Sequence, residues 1–479
     1  MNNELYSSLL ESILLEIKPS KSDYERVREV CRKFTTAIEK KLAEKGVKDA
    51  EPRVEGSIAK DTWLKDDKDI DIFILFPKTY DREFVKKVGY EVAKEAALEV
   101  AGMYSEEYAE HPYVSTNYEG FKVEIVPGYK ISFGEKVLTA VDRTPLHTAY
   151  VNSKLSPVQK DQVRLLKKFL KGIGVYGAEI KVRGFSGYLT ELLIAYYGDF
   201  LSVLKASQTW KPFKTVIDVE SKLSSEEKVK AIKKYKTPLI VIDPVDPNRN
   251  VASALSIDSF AEFRYAAYMF LIKPSRKFFF GDGINVSVSE LANLIESRES
   301  SIIGVETDCP QVPEDILWGE LYKSLKRIKN LLLSFDFNVI GHNVWCNGER
   351  VVFVLELERD TITSVKKHEG PPVGSANEID FLLKHLNNPR DFSLPFSENG
   401  KWYVYMRRKY TRAHDLLRDR LLNCGLSKDV REAISKNLHI LNKTELLERA
   451  KKNRDFRIFL FKWLTKYRPW VYDSRGECK

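Results

Sequence analysis

The run Asp69-Ile70-Asp71-Ile72-Phe73-Ile74-Leu75-Phe76 constrains this chain more than any other stretch. It is β-rich and stops at Pro77, so it reads as a strand. Alternate residues of a strand share a face. Asp69 and Asp71 therefore project together, while Ile70, Ile72, Ile74 and Phe76 form the opposite, buried face. Two carboxylates side by side on an apolar strand repel each other and are costly to desolvate. A bound divalent cation removes that cost, and hard cations such as Mg²⁺ take oxygen ligands and phosphate partners. An exposed strand end, with both aspartates in salt bridges, would give the same pattern.

A second strand is expected over Phe121–Val126, ended by Pro127-Gly128, with Glu124 among apolar neighbours. Beside the first strand, Glu124 would be a third oxygen ligand. Three carboxylates on adjacent strands can hold two Mg²⁺ ions about 3.5–4 Å apart. Gly56-Ser57 precedes the first strand, and small residues let backbone amides approach a phosphate. Helical spacing over 1–50 (Val27, Val30, Phe34, Ile38) and over Phe84–Val100 completes an α/β arrangement.

Helices are expected at Pro157–Ile173, Gly187–Tyr197 and Ile257–Ile272, and Pro274 marks a boundary. Further on come a long amphipathic helix, Glu314–Leu333, and two apolar runs around Asn347-Gly348, a hairpin signal. From Lys401 onward the chain has 21 basic and 9 acidic residues, although the net charge of all 479 residues is only +9. Aromatics interleave with these charges from Trp402 to Tyr410 and from Arg457 to Trp470, as suits phosphate contact and base stacking. A solvated helical face over buried aromatics would look the same. Four parts are expected: 1–150, a mostly helical 151–272, an α+β 273–400 and a basic helical tail 401–479.

The apolar share of 43% excludes a disordered chain, and no run is long enough to span a membrane. The acidic, amphipathic start lacks the features of a secretory signal, so a cytoplasmic protein is expected. Cys31, Cys309, Cys346, Cys424 and Cys478 are scattered without a C-x-x-C, which speaks for free thiols rather than a zinc cluster or disulfide framework.

Taken in order, several segments resemble the nucleotidyltransferase superfamily, and more closely the archaeal-type (class I) CCA-adding tRNA nucleotidyltransferases. They are Glu55–Leu64, Asp69-Ile70-Asp71, Tyr108–Tyr113, Glu124–Pro127, Ala140–His147, Val163–Lys167, Tyr176–Glu179, Lys181–Tyr188 and Asp243–Ala252. They cover the first 250 residues densely; beyond, the likeness is mainly one of layout. The resemblance implies an α/β (α+β) multidomain chain. It would have a palm-like catalytic head with a mixed sheet, a helical central domain completing the nucleotide pocket, a ferredoxin-like α+β body and a helical, basic, tRNA-binding tail.

It also implies template-independent addition of C, C and A to tRNA 3′ ends from CTP and ATP, and hence repair of those ends. The partner would be tRNA, held by its 3′ end and acceptor/T stem, and the family allows a homodimer. Carried over by position, Asp69, Asp71 and Glu124 would be catalytic and bind two Mg²⁺ ions. Ser57 and Lys60 would contact the triphosphate. His147, Lys167 and Tyr176 would hold phosphates and sugar, and Arg249 would lie near the base. The sequence departs from the family where Glu124 replaces a frequent Asp and Lys60 a frequent Arg. Lys60 is a point charge and cannot make the bidentate contact of Arg. Without the resemblance, His147 reads as a turn histidine, Lys167 as an exposed helix residue and Tyr176 as a packing aromatic. Head motifs alone barely separate this family from a poly(A) polymerase or oligoadenylate synthetase, and a catalytically inert RNA binder would share the fold.

Overall fold

A computed structural model describes residues 2–108, 112–135, 138–139, 141–281 and 283–471. The motif residues Ala109, Glu110, His111 and Ala140, and Cys478, lie outside that range. The chain divides into two compact units, Met1–Gly283 with Arg468–Lys479, and Ile284–Tyr467.

The first unit begins with α1 (Asn2–Ile17), α2 (Lys21–Glu44), β1 (Glu51–Glu55) and the single turn α3 (Gly56–Ala59). It continues through β2 (Asp69–Phe76), α4 (Arg82–Ala101), β3 (Ser105–Tyr108), β4 (Pro112–Tyr118) and β5 (Phe121–Tyr129). The five strands form one sheet in the order β1-β2-β5-β4-β3. β2 and β5 run parallel and the other neighbours antiparallel. One face is apolar: Ile70, Ile72, Ile74 and Phe76 of β2 and Val123 and Ile125 of β5 pack under Phe34 and Ile38 of α2 and Val92, Ala93 and Ala96 of α4. The 2-residue period of β2 thus sends its aspartates to the opposite face, as the alternation requires. β5 runs through Pro127-Gly128 instead of stopping there. The β4 register ends at Ile125, so a residue without an N–H is tolerated beyond it.

Helices build the rest of the unit: α5 (Arg143–Lys154), α6 (Pro157–Gly172), α7 (Gly187–Tyr197) and α8 (Phe200–Ser207). Then come β6 (Val216–Asp218), α9 (Ser225–Tyr235), β7 (Ile240–Ile242), α10 (Ile257–Ile272) and α11 (Lys277–Phe280). Phe169 of α6 is the centre of their core, ringed by Phe200, Phe263, Phe270, Phe278 and Phe279. α1 packs here, on α6, and not on the head sheet. Trp470 returns to stack on Phe278.

The second unit comprises α12 (Val288–Ser297), β8 (Ser301–Asp308), α13 (Glu314–Ser334), β9 (Val339–Cys346), β10 (Arg350–Leu357) and β11 (Val365–Pro372). α14 (Glu378–Leu386), β12 (Phe396–Glu398), β13 (Lys401–Arg407), α15 (Ala413–Arg420) and α16 (Lys428–Lys436) follow, then β14 (His439–Leu441), α17 (Lys443–Lys452) and α18 (Arg454–Thr465). A four-stranded sheet, β14-β8-β10-β9, lies between two helical layers. α13, α15 and α16 cover one face, and α12, α17 and α18 the other. The expected hairpin joins β9 to β10. The basic stretch from Lys401 opens with a strand, not a helix. Its aromatic and β-branched run, Trp402 to Tyr405, is the centre of a β11-β13-β12 sheet. The helical residues that follow are interleaved with the rest of the second unit, because β14 pairs with β8.

Candidate active site

The parallel register of β2 and β5 sets Asp71 beside Glu124 and Asp69 beside Lys122. On the other side β1 places Glu55 opposite Asp71. Asp71 is crowded: a Cβ built on Gly56, where φ is +67°, would sit 1.8 Å from Asp71 Oδ2. Glycine is therefore required at position 56 both for the backbone conformation and for the space. Burial, and next to it the Glu124 charge, pushes the Asp71 carboxyl up to about 6. Asp69 is raised for the same two reasons in the same order. The Glu124 carboxylate is turned along its own strand, where Oε1 accepts from Lys122 Nζ at 2.5 Å.

The three expected acidic residues thus share one patch, but their oxygens do not converge. Among the described residues no group of three or more His, Cys, Asp or Glu is placed to hold a metal ion. The donor chemistry nonetheless fits a hard cation. It is all carboxylate, and although Glu124 is paired with Lys122 its charge still raises Asp69 and Asp71, a repulsion that a cation would relieve.

Ser57 lies in the turn that touches Asp71, and Lys60 caps that turn. The Lys60 and Lys167 side chains do not project freely. Lys60 Nζ donates to Glu191 Oε2 at 2.7 Å, and Lys167 Nζ lies 3.5 Å from Oε1 of the same carboxylate. Lys167 also donates to the carbonyl and hydroxyl of Thr62, both at 3.1 Å, and Thr62 Oγ1 donates to Glu191 at 2.6 Å. Lys167 and Glu191 are each 1% exposed. Burial drives the Lys167 ammonium down; for Glu191 burial is outweighed by the two lysines, and its carboxyl is held low. Tyr176 comes beside them: a Cβ on Gly187 would meet its hydroxyl at 3.0 Å and Lys167 Nζ at 3.8 Å.

His147 and Arg249 gather around a second buried carboxylate. His147 Nε2 is 3.0 Å and Arg249 Nη1 2.8 Å from Asp243 Oδ2. The His147 ring stacks on Tyr188 with centroids 3.7 Å apart, and Lys60 Nζ lies 5.7 Å from the same tyrosine ring. The nine residues nominated by sequence therefore fall into three neighbouring groups: carboxylates around Asp71, lysines on Glu191, and the His147–Arg249 pair on Asp243. Arg164, within one of the motif segments, is structural; it is buried and binds Asp61, Asp161, the Trp63 carbonyl and Tyr24.

Glu191, Tyr188 and Asp243 were not assigned roles by sequence. A signal was present for Glu191, a lone charge in the apolar helix Leu189 to Ile194. Asp243 similarly ends the apolar run Leu239–Ile242 ahead of a proline.

Residues 36–147 match the nucleotidyltransferase domain family, and 161–280 the second domain of tRNA nucleotidyltransferase. Residues 298–443 match the C-terminal domain of CCA-adding enzymes. The CCA-adding enzyme of Methanosarcina mazei is 36% identical over 456 residues, which span 95% of this chain and 97% of that one. The chain belongs to the CCA-adding enzyme family. The CCA-adding enzyme of Sulfurisphaera tokodaii is 37% identical over 84% of this chain and 89% of its own. That of Pyrobaculum islandicum is 38% identical over 86% of this chain and 93% of its own. The first two family matches fall in the first structural unit, which carries all nine nominated residues, and the third falls in the second unit.

Proposed function

We propose that this protein completes and repairs tRNA by adding C, C and A to its 3′ end from CTP and ATP, releasing pyrophosphate. The observation that supports the chemistry is the register that sets Asp71 beside Glu124 on parallel strands, with Asp69 two residues away on the same face. Asp69, Asp71 and Glu124 would hold two Mg²⁺ ions, Glu124 giving up Lys122 in doing so. Bound there, Mg²⁺ supplies positive charge that favours an ionised 3′-hydroxyl and offsets charge building up on the α-phosphate and pyrophosphate.

The chain's own groups position the reactants. The Gly56-Ser57 turn offers small side chains and backbone amides to the triphosphate. Lys60 and Lys167 add a net single positive charge, since Glu191 balances one of them. Tyr176 and His147 line the sugar side, and Arg249 faces the base. In-line transfer of this kind depends on alignment and preorganised charge more than on covalent help. In this reading 1–150 is the catalytic head, 151–272 closes the nucleotide pocket, 273–400 is the body, and 401–479 carries the charge that holds the tRNA acceptor and T stem.

The test is direct. Full-length protein, Mg²⁺ and tRNA lacking its 3′ end are incubated with each labelled triphosphate, and the products are sized. CTP alone should add two residues, and CTP with ATP three, ending in A. An open-ended homopolymer would favour a poly(A) polymerase-like activity. Binding of tRNA without incorporation would leave an inert RNA binder.

A further inference from the structure

Asp243 is fully buried where α5, α7 and the loop after β7 meet. Its Oδ2 faces Arg249 Nη1 and His147 Nε2, while Oδ1 accepts from the Tyr188 hydroxyl at 3.2 Å and the Val245 N–H at 3.1 Å. An ionised carboxylate can only accept hydrogen bonds, so the His147 nitrogen that faces it carries the proton. Burial lowers the ring's affinity for a second proton. A neutral imidazole protonated at Nε2 presents a bare lone pair at Nδ1. Nδ1 has no hydrogen-bond partner among the described residues, and the stack on Tyr188 fixes the ring plane.

A bare lone pair repels phosphate oxygens and accepts from hydroxyls. We infer that Asp243 is a positioning residue that locks His147 as an acceptor, so that His147 reads a ribose hydroxyl of the incoming nucleotide and not its phosphates. The inference rests on the nucleotide pocket proposed above. It turns a group expected to hold phosphates and sugar into one that selects ribonucleotides.

Binding of CTP, 2′-deoxy-CTP and 3′-deoxy-CTP to the full chain with Mg²⁺ is measured by calorimetry, beside incorporation into tRNA lacking its 3′ end. The wild type should favour CTP over at least one deoxy analogue, and that analogue identifies the hydroxyl. In Asp243→Asn the amide N–H can donate toward the ring and favour the other tautomer. The preference should then shrink roughly threefold to tenfold, the size of one neutral hydrogen bond. His147→Ala, which keeps Asp243 and Arg249, should shrink it by the same factor, and the double variant no further. Equal weakening of all three nucleotides by Asp243→Asn, with the preference intact in His147→Ala, overturns the inference. A wild type that shows the preference but adds nothing to tRNA removes the transfer reaction and leaves this reading standing. A wild type that binds no triphosphate removes both.

A different observation in the second unit carries a second inference. Cys309 Sγ and Cys346 Sγ are 3.2 Å apart. Cys346 ends β9, and Cys309 follows β8 with its N–H bonded to the Glu349 carbonyl at 2.8 Å. Ladders to β10 on both sides hold the two backbones in place. We propose that this pair is a cross-linking site that closes to a disulfide with a small-molecule disulfide such as oxidised glutathione as electron acceptor. The Cys346 thiolate attacks one glutathione sulfur and expels glutathione thiolate. The Cys309 thiolate then attacks Cys346 Sγ and expels the second, so two protein thiols are oxidised and one glutathione disulfide is reduced to two thiols. Cys309 is buried, which raises its thiol, and Cys346 is the more exposed of the two, so Cys346 is the one that meets glutathione first.

Protein treated with oxidised glutathione is denatured, alkylated and digested. A Cys309–Cys346 linked peptide should appear, and reduction should abolish it. Cys309→Ser should instead accumulate glutathione on Cys346. Both thiols remaining alkylatable, or glutathione retained on wild-type Cys346 without linkage, overturns the proposal.

Discussion

Asp71 illustrates what the site costs the protein when nothing offsets its charge. An acid whose pKa is raised in the folded state binds more protons folded than unfolded between its two values. Stability therefore falls as pH climbs from about 4 to about 6, and the loss persists above. In chelator, Asp71→Asn should be more stable than wild type at pH 7, by about 1–3 kcal/mol at most. That difference should vanish below about pH 4. Mg²⁺ should raise the unfolding midpoint of the wild type and leave the variant unmoved, while the variant loses nucleotide incorporation but keeps tRNA affinity. Thermal unfolding across pH, with and without Mg²⁺, checks all of this. Glu191 is the opposite case, a buried acid whose charge is needed by two cations. Glu191→Gln strands Lys60 and Lys167 and should cost about 3–5 kcal/mol in denaturant titrations. Pairing Glu191→Leu with both Lys60→Met and Lys167→Met should restore much of that stability but not triphosphate affinity.

Among the elements, the short turn α3 depends on one atom-scale fit. Gly56→Ala requires a left-handed backbone from alanine and drives its methyl into the Asp71 carboxylate. We expect a stability loss of about 1–2 kcal/mol. Incorporation should fall far more than that loss explains, because the displaced group is Asp71; single-turnover rates on folded variant separate the two effects. The strand that holds Asp69 and Asp71 was legible in sequence to the residue, because a short run that is apolar apart from two aspartates at alternate positions, stopped by Pro77, admits few other structures. α10 was equally plain. β1, β3 and β4 were not. β3 (Ser105–Tyr108) and β4 (Pro112–Tyr118) carry no apolar alternation to mark them, although β3 pairs with β4 and β4 with β5 close by in the chain, and β1 is five residues whose partner β2 lies beyond the α3 turn. The candidate site was legible as residue types and not as pairings. Local sequence could not show that Lys60 and Lys167 share Glu191, since that carboxylate lies 131 and 24 residues from them along the chain. The Glu124–Lys122 pair differs, because the two lie two residues apart on one strand and so share a face.

At the scale of the whole molecule, charge and fold divide differently from what the sequence suggests. The positive excess lies after Lys401, yet those residues are no separable tail: β13 is the centre of one sheet and β14 an edge of another. Deleting them would expose the core of the second unit, so a truncated chain that fails to bind RNA would say nothing about which residues touch it. The informative change removes charge and leaves the fold. Lys451 and Lys452 at the end of α17 and Lys462 on α18 are exposed, while the cores beneath them rest on Leu446, Ala450, Leu460 and Trp463. Replacing the three lysines with glutamine should leave the unfolding midpoint nearly unchanged. If they neutralise tRNA phosphates, the slope of log affinity against log salt should become shallower by roughly 0.7–0.9 for each phosphate no longer neutralised. Binding measured from about 50 to about 300 mM salt gives that slope. An unaltered slope with weaker binding would assign these lysines a role in shape and not in charge, and an unaltered affinity would move the RNA to another face.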